Sequence, residues 1–486
     1  MMQAQILYSF LRFSCIARFF PACFALLLLV GCSKLELQEF NQAYYSGEVE
    51  EAYKMAKDAS NLSSSKEKPE RDDLLWQVQA GVAGFFSQQE DTHALLESAD
   101  RIMQNTIENF STMFFGSVGA ILTSDELLPY PIYLYEASLV NYYLALDAMA
   151  QGDSKNARVY LNQAIERQND AKAYYAKEIE ESQKDLKGMK KTSDKDSKDS
   201  QFIAASVDFA MSRRGESSGA QVRENYINPM IPYMKILFEL KEGRFSNIAS
   251  LSALDLAFLP REDREILESR KKGAKERYIW VIIEDGKGVS KGTRSFSIPL
   301  PANPSALLNP ALLAIALSSQ EGAVVAAAVS GSVLLNYAEP LLIEGIDFAR
   351  SYSIEGVSGS KFFSLDSLAK TEFDKRLAGI RTRAILRSIP PAIAAYASER
   401  AGQEAGVSGI GVLFGLMHKM VISADERIIS ALPNSFYVLR IPNTQGVKAL
   451  KVDGKNMLEF SISHQDKDAI VYVRNTGTKL FMRILN

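Results

Sequence analysis

The chain contains little histidine, cysteine or tryptophan. Its 486 residues include 3 His, 3 Cys and 2 Trp. The histidines, at positions 93, 418 and 464, are far apart in the sequence, and all the cysteines precede position 33. A zinc centre of the usual kind needs several such ligands close together. This inventory cannot build a His/Cys metal cluster, and we expect no cofactor.

The chain also lacks an excess of charge of one sign. Its 55 Lys and Arg residues nearly balance 58 Asp and Glu residues, for a net charge of −3. A nucleic-acid-binding protein usually carries a basic patch, so we expect no nucleic-acid partner. Apolar residues make up 47% and charged residues 23% of the chain. This composition is ordinary for a folded soluble protein and argues against a disordered chain or a multi-span membrane protein.

The N-terminus has the pattern of an export signal. Its first 31 residues carry only two charges, Arg12 and Arg18, ahead of an apolar run that ends at Val30. The run is too short to cross a membrane, which takes about 20 residues, and the arrangement is typical of a signal peptide. The residues Leu-Val-Gly-Cys that end at Cys32 resemble a bacterial lipobox. The sequence therefore predicts a lipoprotein signal peptide over 1–31, with Cys32 as the lipidated first residue of the mature chain.

Cysteine usage supports this interpretation. Cys15 and Cys23 would leave with the signal peptide, so the mature chain would keep Cys32 alone. An exported chain with one thiol at its first residue is explained if that thiol carries lipid. The alternative is an ordinary signal peptide followed by an accidental cysteine. Ser33, rather than aspartate, follows Cys32, and by resemblance to lipoprotein sorting we expect a periplasm-facing anchor in the outer membrane. The inner membrane and the cell surface stay open as alternatives.

The segment 32–185 is predicted to be helical, with a recurring turn. Gly47-Glu48 and Gly152-Asp153 each follow an aromatic-rich stretch and precede alanines at helical spacing. This resembles the turn of a tetratricopeptide repeat, in which small residues let paired helices approach closely. Weaker versions occur near 88–91 and at Gly243. A plain helical bundle with glycine C-caps is the alternative.

The rest of the chain indicates an α+β fold. Residues 186–201 are rich in Lys, Asp and Ser and are typical of a low-complexity linker, and 202–275 is predicted to be a helical extension. The segment 276–486 begins with a β-branched run and ends with five short strand candidates. These predict a small antiparallel sheet or sandwich, joined by strands in 278–300, with 303–430 as an insertion containing helices.

Three expectations concern that insertion. The helix that starts at Asp366 should end at Pro390-Pro391, because proline disrupts a helix interior. Two apolar stretches rich in small residues, Gly322–Leu335 and Gly406–Met417, are predicted to be packed core helices. The alternative for these stretches is a surface that touches a membrane or a partner.

The sequence offers little that points to catalysis. The predicted mature chain has no H-E-x-x-H, Walker or C-x-x-C motif. Gly215–Gly219 matches G-x-S-x-G, but polar residues precede it where a nucleophile elbow needs a strand. Ser367 and Lys370 match the two-letter pattern S-x-x-K, without its companion motifs. We therefore expect a protein that is not an enzyme.

Several polar or aromatic residues in or beside apolar elements are candidates for binding. They are Trp280, Glu284, Arg383, Asp425 and Arg427. Structural ion pairs are the default interpretation of the charged ones, and a binding role is the alternative. An envelope hydrolase or transferase that uses carboxylates such as Glu284 and Asp425 is a second functional hypothesis.

Motifs in a fixed order carry a family resemblance. They are Asp73-Leu74-Leu75-Trp76 with Gly81, Asn141-Tyr142-Tyr143 before Gly152-Asp153, Asn228-Pro229 with Tyr233, Trp280-Val281 with Glu284-Asp285-Gly286, Thr382-Arg383-Ala384-Ile385, and Asp425-x-Arg427 with Leu432-Pro433. With them the chain resembles an uncharacterised bacterial lipoprotein family with tetratricopeptide-like helices. The resemblance implies an envelope-assembly role. We expect two partners: the membrane, through lipidated Cys32, and an envelope protein. An assembly factor for a secretion pore or surface appendage is a further alternative.

Overall fold

The fold combines an N-terminal set of helices with a C-terminal set of strands, which confirms the α+β class. A computed structural model describes residues 35–62, 72–108, 125–192, 226–249, 256–300, 333–404, 406 and 410–485. The predicted signal peptide, Cys32 and the Gly215–Gly219 string lie outside the described residues.

The described helices occur in both halves of the chain. They are α1 (35–45), α2 (Val49–Ala59), α3 (Asp73–Ser87), α4 (Thr92–Glu108), α5 (Leu134–Ala150), α6 (Ser154–Thr192), α7 (Met230–Lys241), α8 (Phe245–Ala249), α9 (Arg261–Lys271), α10 (Asp366–Glu404) and α11 (Ile410–Val421). A short 3₁₀ turn spans Asp125–Leu127. Helix α6 continues to Thr192, into the segment predicted to be a linker, because 186–191 contains the good helix formers Leu, Met and Lys.

The predicted helix turns are confirmed in position. Gly47 and Gly152 have φ of 86° and 78°, left-handed values that glycine adopts without a steric penalty. At both turns the next residue closes the helix in the same way: Glu48 N–H donates to the carbonyl of Ala43 at 2.9 Å, and Asp153 N–H to that of Ala148 at 2.8 Å. This is the bond pattern of a Schellman C-cap.

The strands form two larger sheets and a ribbon. They are β1 (Tyr278–Asp285), β2 (Ser290–Leu300), β3 (Val333–Ile343), β4 (Tyr352–Ile354), β5 (Val357–Ser358), β6 (Ser360–Ser364), β7 (Ser435–Pro442), β8 (Lys448–Val452), β9 (Lys455–Phe460), β10 (Ala469–Asn475) and β11 (Leu480–Leu485). The five-stranded sheet has the order β11-β10-β1-β7-β6, the four-stranded sheet β5-β4-β8-β9, and the ribbon pairs β2 with β3. All five predicted C-terminal strands are present.

The prediction of a purely antiparallel sheet is wrong. Strand β1 pairs with β7 in antiparallel fashion but with β10 in parallel fashion. A parallel pair needs a long crossover rather than a hairpin, and a chain of more than a hundred residues separates β1 from β10. The five-stranded sheet is therefore mixed.

Strand β2 also differs from the prediction, because it does not join the sheet of β1. It pairs with β3 over its whole length. Gly286, between β1 and β2, has φ of 83°, and a Cβ there would lie 2.0 Å from the carbonyl oxygen of Ile346. The chain leaves β1 at this crowded glycine and turns away, so the loop after β1 is not a hairpin.

The five-stranded sheet separates two apolar layers. Trp280 and Ile282 of β1 pack among the helices, whereas Val281 and Ile283 pack against the four-stranded sheet. This alternation follows from the two-residue period of a strand. The helical side of the core is continuous from Phe40 in α1 to Leu485 in β11. Helices and strands therefore share one core.

One helical expectation for the insertion is wrong, and a second is tested only at its C-terminal end. Helix α10 does not end at Pro390-Pro391 but runs through both residues. Ile389 and Ala392, on either side of the pair, are buried, so tertiary packing outweighs the lost backbone hydrogen bonds. Of Gly322–Leu335, only 333–335 is described, and it belongs to strand β3.

Helix α11 is only partly a core helix. Gly415 lies against Leu334 of β3, and the Asn336 amide donates to the Gly415 carbonyl at 2.7 Å. On another face Leu413, Phe414 and Met417 are 59%, 49% and 52% exposed. Within the described residues, no helix combines the length and the apolar character needed to cross a membrane.

Candidate functional site

The predicted site residues lie in separate clusters. Trp280 and Glu284 lie four residues apart on the helix-facing side of strand β1, and both are fully buried. Arg383, Asp425 and Arg427 meet around the 3₁₀ turn at Asp125–Leu127. Glu284 is bonded to Tyr143 and Tyr472, whereas Asp425 is bonded to Arg427, so the two carboxylates belong to different clusters.

Glu284 is the centre of a buried network between the helices and the sheet. The hydroxyls of Tyr143 on α5 and Tyr472 on β10 donate to its carboxylate at 2.8 and 2.5 Å. Arg474 Nε lies 3.8 Å from Glu284 Oε2 and donates to the Tyr44 hydroxyl of α1 at 3.2 Å. Burial raises the pKa of Glu284, while Arg474 and the tyrosine hydrogen bonds act in the opposite direction. The cluster joins α1, α5, β1 and β10.

Trp280 has a structural partner. Its indole Nε1 donates to Asp263 Oδ1 of α9 at 2.8 Å. The Tyr233 hydroxyl and the Arg440 guanidinium donate to the same carboxylate at 2.8 and 2.5 Å. With its N–H bonded, the buried indole ties α9 to the sheet.

Arg427 organises the second cluster, which we call the arginine cluster and which comprises Asp72, Asp125, Arg383, Arg387, Asp425 and Arg427. The Arg427 guanidinium donates to Asp425 at 2.8 Å, to Asp72 at 2.6 Å, and to the carbonyls of Asp125 and Leu128 at 3.0 Å each. Burial disfavours its charge, but the bonds to Asp425 and Asp72 outweigh burial and raise its pKa. These contacts hold the segment before α3 and the 3₁₀ turn against the strand side of the fold.

The Asp125 side chain receives two more arginines. Arg383 Nε lies 3.4 Å from Asp125 Oδ1, and Arg387 forms an ion pair with the same oxygen. Burial would raise the pKa of Asp125, but the two guanidinium groups outweigh it and lower that pKa. Arg383, Asp425 and Arg427 are among the residues predicted from the sequence, whereas Asp72, Asp125 and Arg387 are not. No local signal marks these three, because their partners are distant in the sequence.

A second missed feature is a pair of buried carboxyl groups, Glu136 of α5 and Glu372 of α10, which we call the carboxyl pair. The Tyr135 N–H donates to both oxygens of Glu372 at 3.1 and 3.2 Å, and the Tyr175 hydroxyl donates at 2.5 Å. The hydroxyls of Tyr130 and Tyr135 donate to Glu136 at 3.0 and 3.1 Å. A glutamate inside the otherwise apolar start of α5 is the sequence signal that could have revealed it.

Burial dominates the ionisation of the carboxyl pair. It raises the pKa of Glu136 to about 7, partly offset by Lys291, and that of Glu372 to about 8, partly offset by the Tyr175 hydroxyl. The charge of Glu136 also contributes to the raised pKa of Glu372. Groups with such pKa values could exchange protons near neutral pH. Both side chains are buried, and Glu372 joins α10 to α5 through the Tyr135 N–H.

One other motif match is explained by its contacts. The Ser367 hydroxyl donates to the carbonyl of Ser364 at 3.2 Å, while Lys370 forms an ion pair with Glu344. The S-x-x-K match thus does not bring a lysine to a serine. Across the ranges that the structure describes, no three His, Cys, Asp or Glu side chains are grouped to hold a metal ion.

Comparison with known proteins does not assign the chain to a family or a fold. No family model, curated protein or solved structure matches it.

Proposed function

We propose that this chain is a lipid-anchored protein of the bacterial cell envelope that faces the periplasm and acts as a protein-interaction or assembly scaffold. The observation that carries the proposal is the lipobox-like sequence ending at Cys32, the only cysteine of the predicted mature chain. Acyl chains on the thioether-linked glyceride and on the new N-terminus give stable anchoring, whereas one chain alone is marginal. The outer membrane is the proposed site.

The helical half supports the scaffold part of the proposal. Helix pairs α1/α2 and α5/α6 are joined by the same short turn and the same closing hydrogen bond. Stacked helix pairs of the tetratricopeptide-like kind present concave surfaces to proteins. We propose that the helical half is of this kind.

The carboxylate-based alternative finds no supporting geometry. Glu284 is enclosed by tyrosines and Arg474, and Asp425 is bonded to Arg427. Two carboxylates that flank a glycosidic bond must face each other across a space for the sugar, and these two lie in different clusters.

Lipidation is tested by metabolic labelling with radioactive palmitate. The wild-type protein should be labelled and should sediment with membranes, and Cys32→Ala should lose both properties. An unlabelled wild-type protein, or a Cys32→Ala variant that still fractionates with membranes, contradicts the anchor.

The scaffold role is tested by crosslinking in intact cells followed by mass spectrometry. The wild-type protein should capture a specific envelope protein that the Cys32→Ala variant does not. Recovery of no specific partner contradicts the role. Loss of a secretion pore or surface appendage on gene deletion would identify the assembly-factor form of the proposal.

A further inference from the structure

The first helix is fixed firmly to the rest of the protein. Phe40 and Tyr44 of α1 are fully buried. The Phe40 ring lies 6.1 Å from that of Trp76 in α3, and the Tyr45 hydroxyl donates to the carbonyl of Ser430. Because these contacts reach both α3 and the strand side of the core, α1 cannot swing away from the folded body without breaking the core.

The first turn of α1 is nevertheless largely exposed, with only Leu37 packed against the core. Leu35 is 57% exposed, and Glu36 and Glu39 are exposed as well, whereas burial begins at Phe40. The chain therefore enters the fold through a solvent-facing helical turn.

Very little chain separates this turn from the proposed anchor. Leu35 follows Cys32 by three residues. A fully extended chain spans at most about 3.6 Å per residue, so the α-carbon of Leu35 lies within about 11 Å of that of Cys32. This limit comes from covalent geometry and holds for any conformation of Ser33 and Lys34.

We propose that the exposed first turn of α1 lies directly against the headgroup layer of the leaflet that holds the lipid on Cys32, with α1 pointing away from the membrane. The proposal rests on the proposed lipidation of Cys32. It assigns a membrane-facing surface to the folded body and makes this a protein held close to the bilayer, without a flexible reach into the periplasm.

The side chains of the first turn of α1 determine how deeply it can lie in the membrane. Glu36 and Glu39 are acidic and exposed, and a charged side chain is costly in the hydrocarbon core. Leu35 is the exposed apolar residue nearest the anchor. The turn should therefore rest at headgroup level, with Leu35 toward the interface, and should not insert into the acyl chains.

The test uses two single-thiol variants at the two ends of α1. When Cys32 is acylated, Leu35→Cys or Ser46→Cys provides the only free thiol of the predicted mature chain. Both positions are exposed, so the substitutions should not disturb folding. The two sites are about 16 Å apart along the helix. Each lipidated protein is labelled with an environment-sensitive fluorophore and reconstituted into phosphatidylcholine vesicles that contain a headgroup spin label.

The label at position 35 should be quenched several-fold more than the label at position 46. Inserting about 20 Gly and Ser residues between Ser33 and Lys34 adds roughly 25 Å of root-mean-square reach, and it should reduce quenching at position 35 to the level at position 46. Equal quenching of the two labels in the uninserted protein overturns the proposal, and so does unchanged quenching after the insertion.

Palmitate incorporation is measured on the same samples. Absence of palmitate refutes the proposed anchor itself. Palmitate incorporation together with equal quenching refutes only the close apposition of α1, so the two failures are distinguishable.

Discussion

Helix α10 takes part in two buried polar arrangements of opposite character. Near its N-terminus Glu372 belongs to the carboxyl pair, whose partners are tyrosine hydroxyls and a backbone N–H. Farther along, Arg383 and Arg387 belong to the arginine cluster, in which carboxylates meet guanidinium groups. Both arrangements join the helical half to the rest of the fold.

The difference shows that the partner decides which ionisation state the fold favours. Guanidinium groups lower the pKa of Asp125, so folding favours its charged form. In the carboxyl pair burial outweighs the hydroxyl hydrogen bonds and raises both pKa values, so folding favours the neutral forms. Acid should weaken the first arrangement and alkali the second.

The largest effect on the free energy of unfolding is expected when Arg427, at the centre of the arginine cluster, is replaced. Arg427→Ala removes the cationic partner of Asp425 and Asp72 and leaves two carbonyls without their donor. Breaking a buried ion pair in this way costs about 3–5 kcal/mol. Urea denaturation should show that loss in the free energy of unfolding.

Arg261→Ala is the matched control, because Arg261 pairs with Glu265 on the surface and is 88% exposed. Its loss should cost less than about 1 kcal/mol. Equal destabilisation by the two substitutions would show that the arginine cluster does not stabilise the fold.

The next largest effect on the free energy of unfolding is its pH dependence, which the carboxyl pair should cause. Native pKa values of about 7 and about 8 lie above the ordinary value of 4.5. The folded protein therefore binds more protons than the unfolded chain, and its stability falls as the pH rises from about 5 to about 8. Since one pKa unit corresponds to about 1.4 kcal/mol, the fall should amount to a few kcal/mol. Urea midpoints measured across this range give the slope, and stability that rises with pH would contradict it.

Glu372→Gln should remove part of that slope. The amide has nearly the same shape and cannot ionise, so the variant should lose less stability than the wild type between about pH 5 and pH 8. The expected gain relative to the wild type at the alkaline end is about 1–3 kcal/mol. Glu265→Gln, at an exposed position, should leave the slope unchanged. Parallel pH profiles of the wild type and Glu372→Gln would assign the dependence to other groups.

The smallest effect on the free energy of unfolding is expected from a change at Arg387, at the edge of the arginine cluster. Arg387→Lys keeps a positive charge beside Asp125, which also retains Arg383. The lysine lacks the planar fork of donors, so the free energy of unfolding should fall by about 1 kcal/mol or less. A loss as large as that of Arg427→Ala would show that Arg387, and not Arg427, is the centre of the cluster.

The sequence predicted features that depend on neighbouring residues. The β-branched runs located β1 and β10, and the Gly-Glu and Gly-Asp steps located the turns at Gly47 and Gly152, because each element is specified by its own few residues. The short-range bond between Asp425 and Arg427 agrees with the ion pair taken as the default. Because nearby residues specify these features, the structure has them at the positions that the sequence predicts.

Features that depend on distant residues could not be predicted. Nothing near β1 reveals that β10 pairs with it in parallel, and nothing near Pro390 reveals the burial of the flanking residues that keeps α10 continuous. Glu136 and Glu372 are 236 positions apart, by subtraction of their residue numbers. Their meeting, like that of Asp125 with Arg383, is decided by the packing of whole helices.

The central position of β1 has a consequence for the order of folding. Its two hydrogen-bonding neighbours, β7 and β10, come from the last fifty-two residues of the sequence, 435–486. The middle of the sheet therefore stays open until residues 435–475 have left the ribosome, and pairings this remote in sequence form slowly. If the chain is exported as proposed, this order leaves the sheet unfinished during translocation, so that its tertiary structure can be completed on the far side of the membrane.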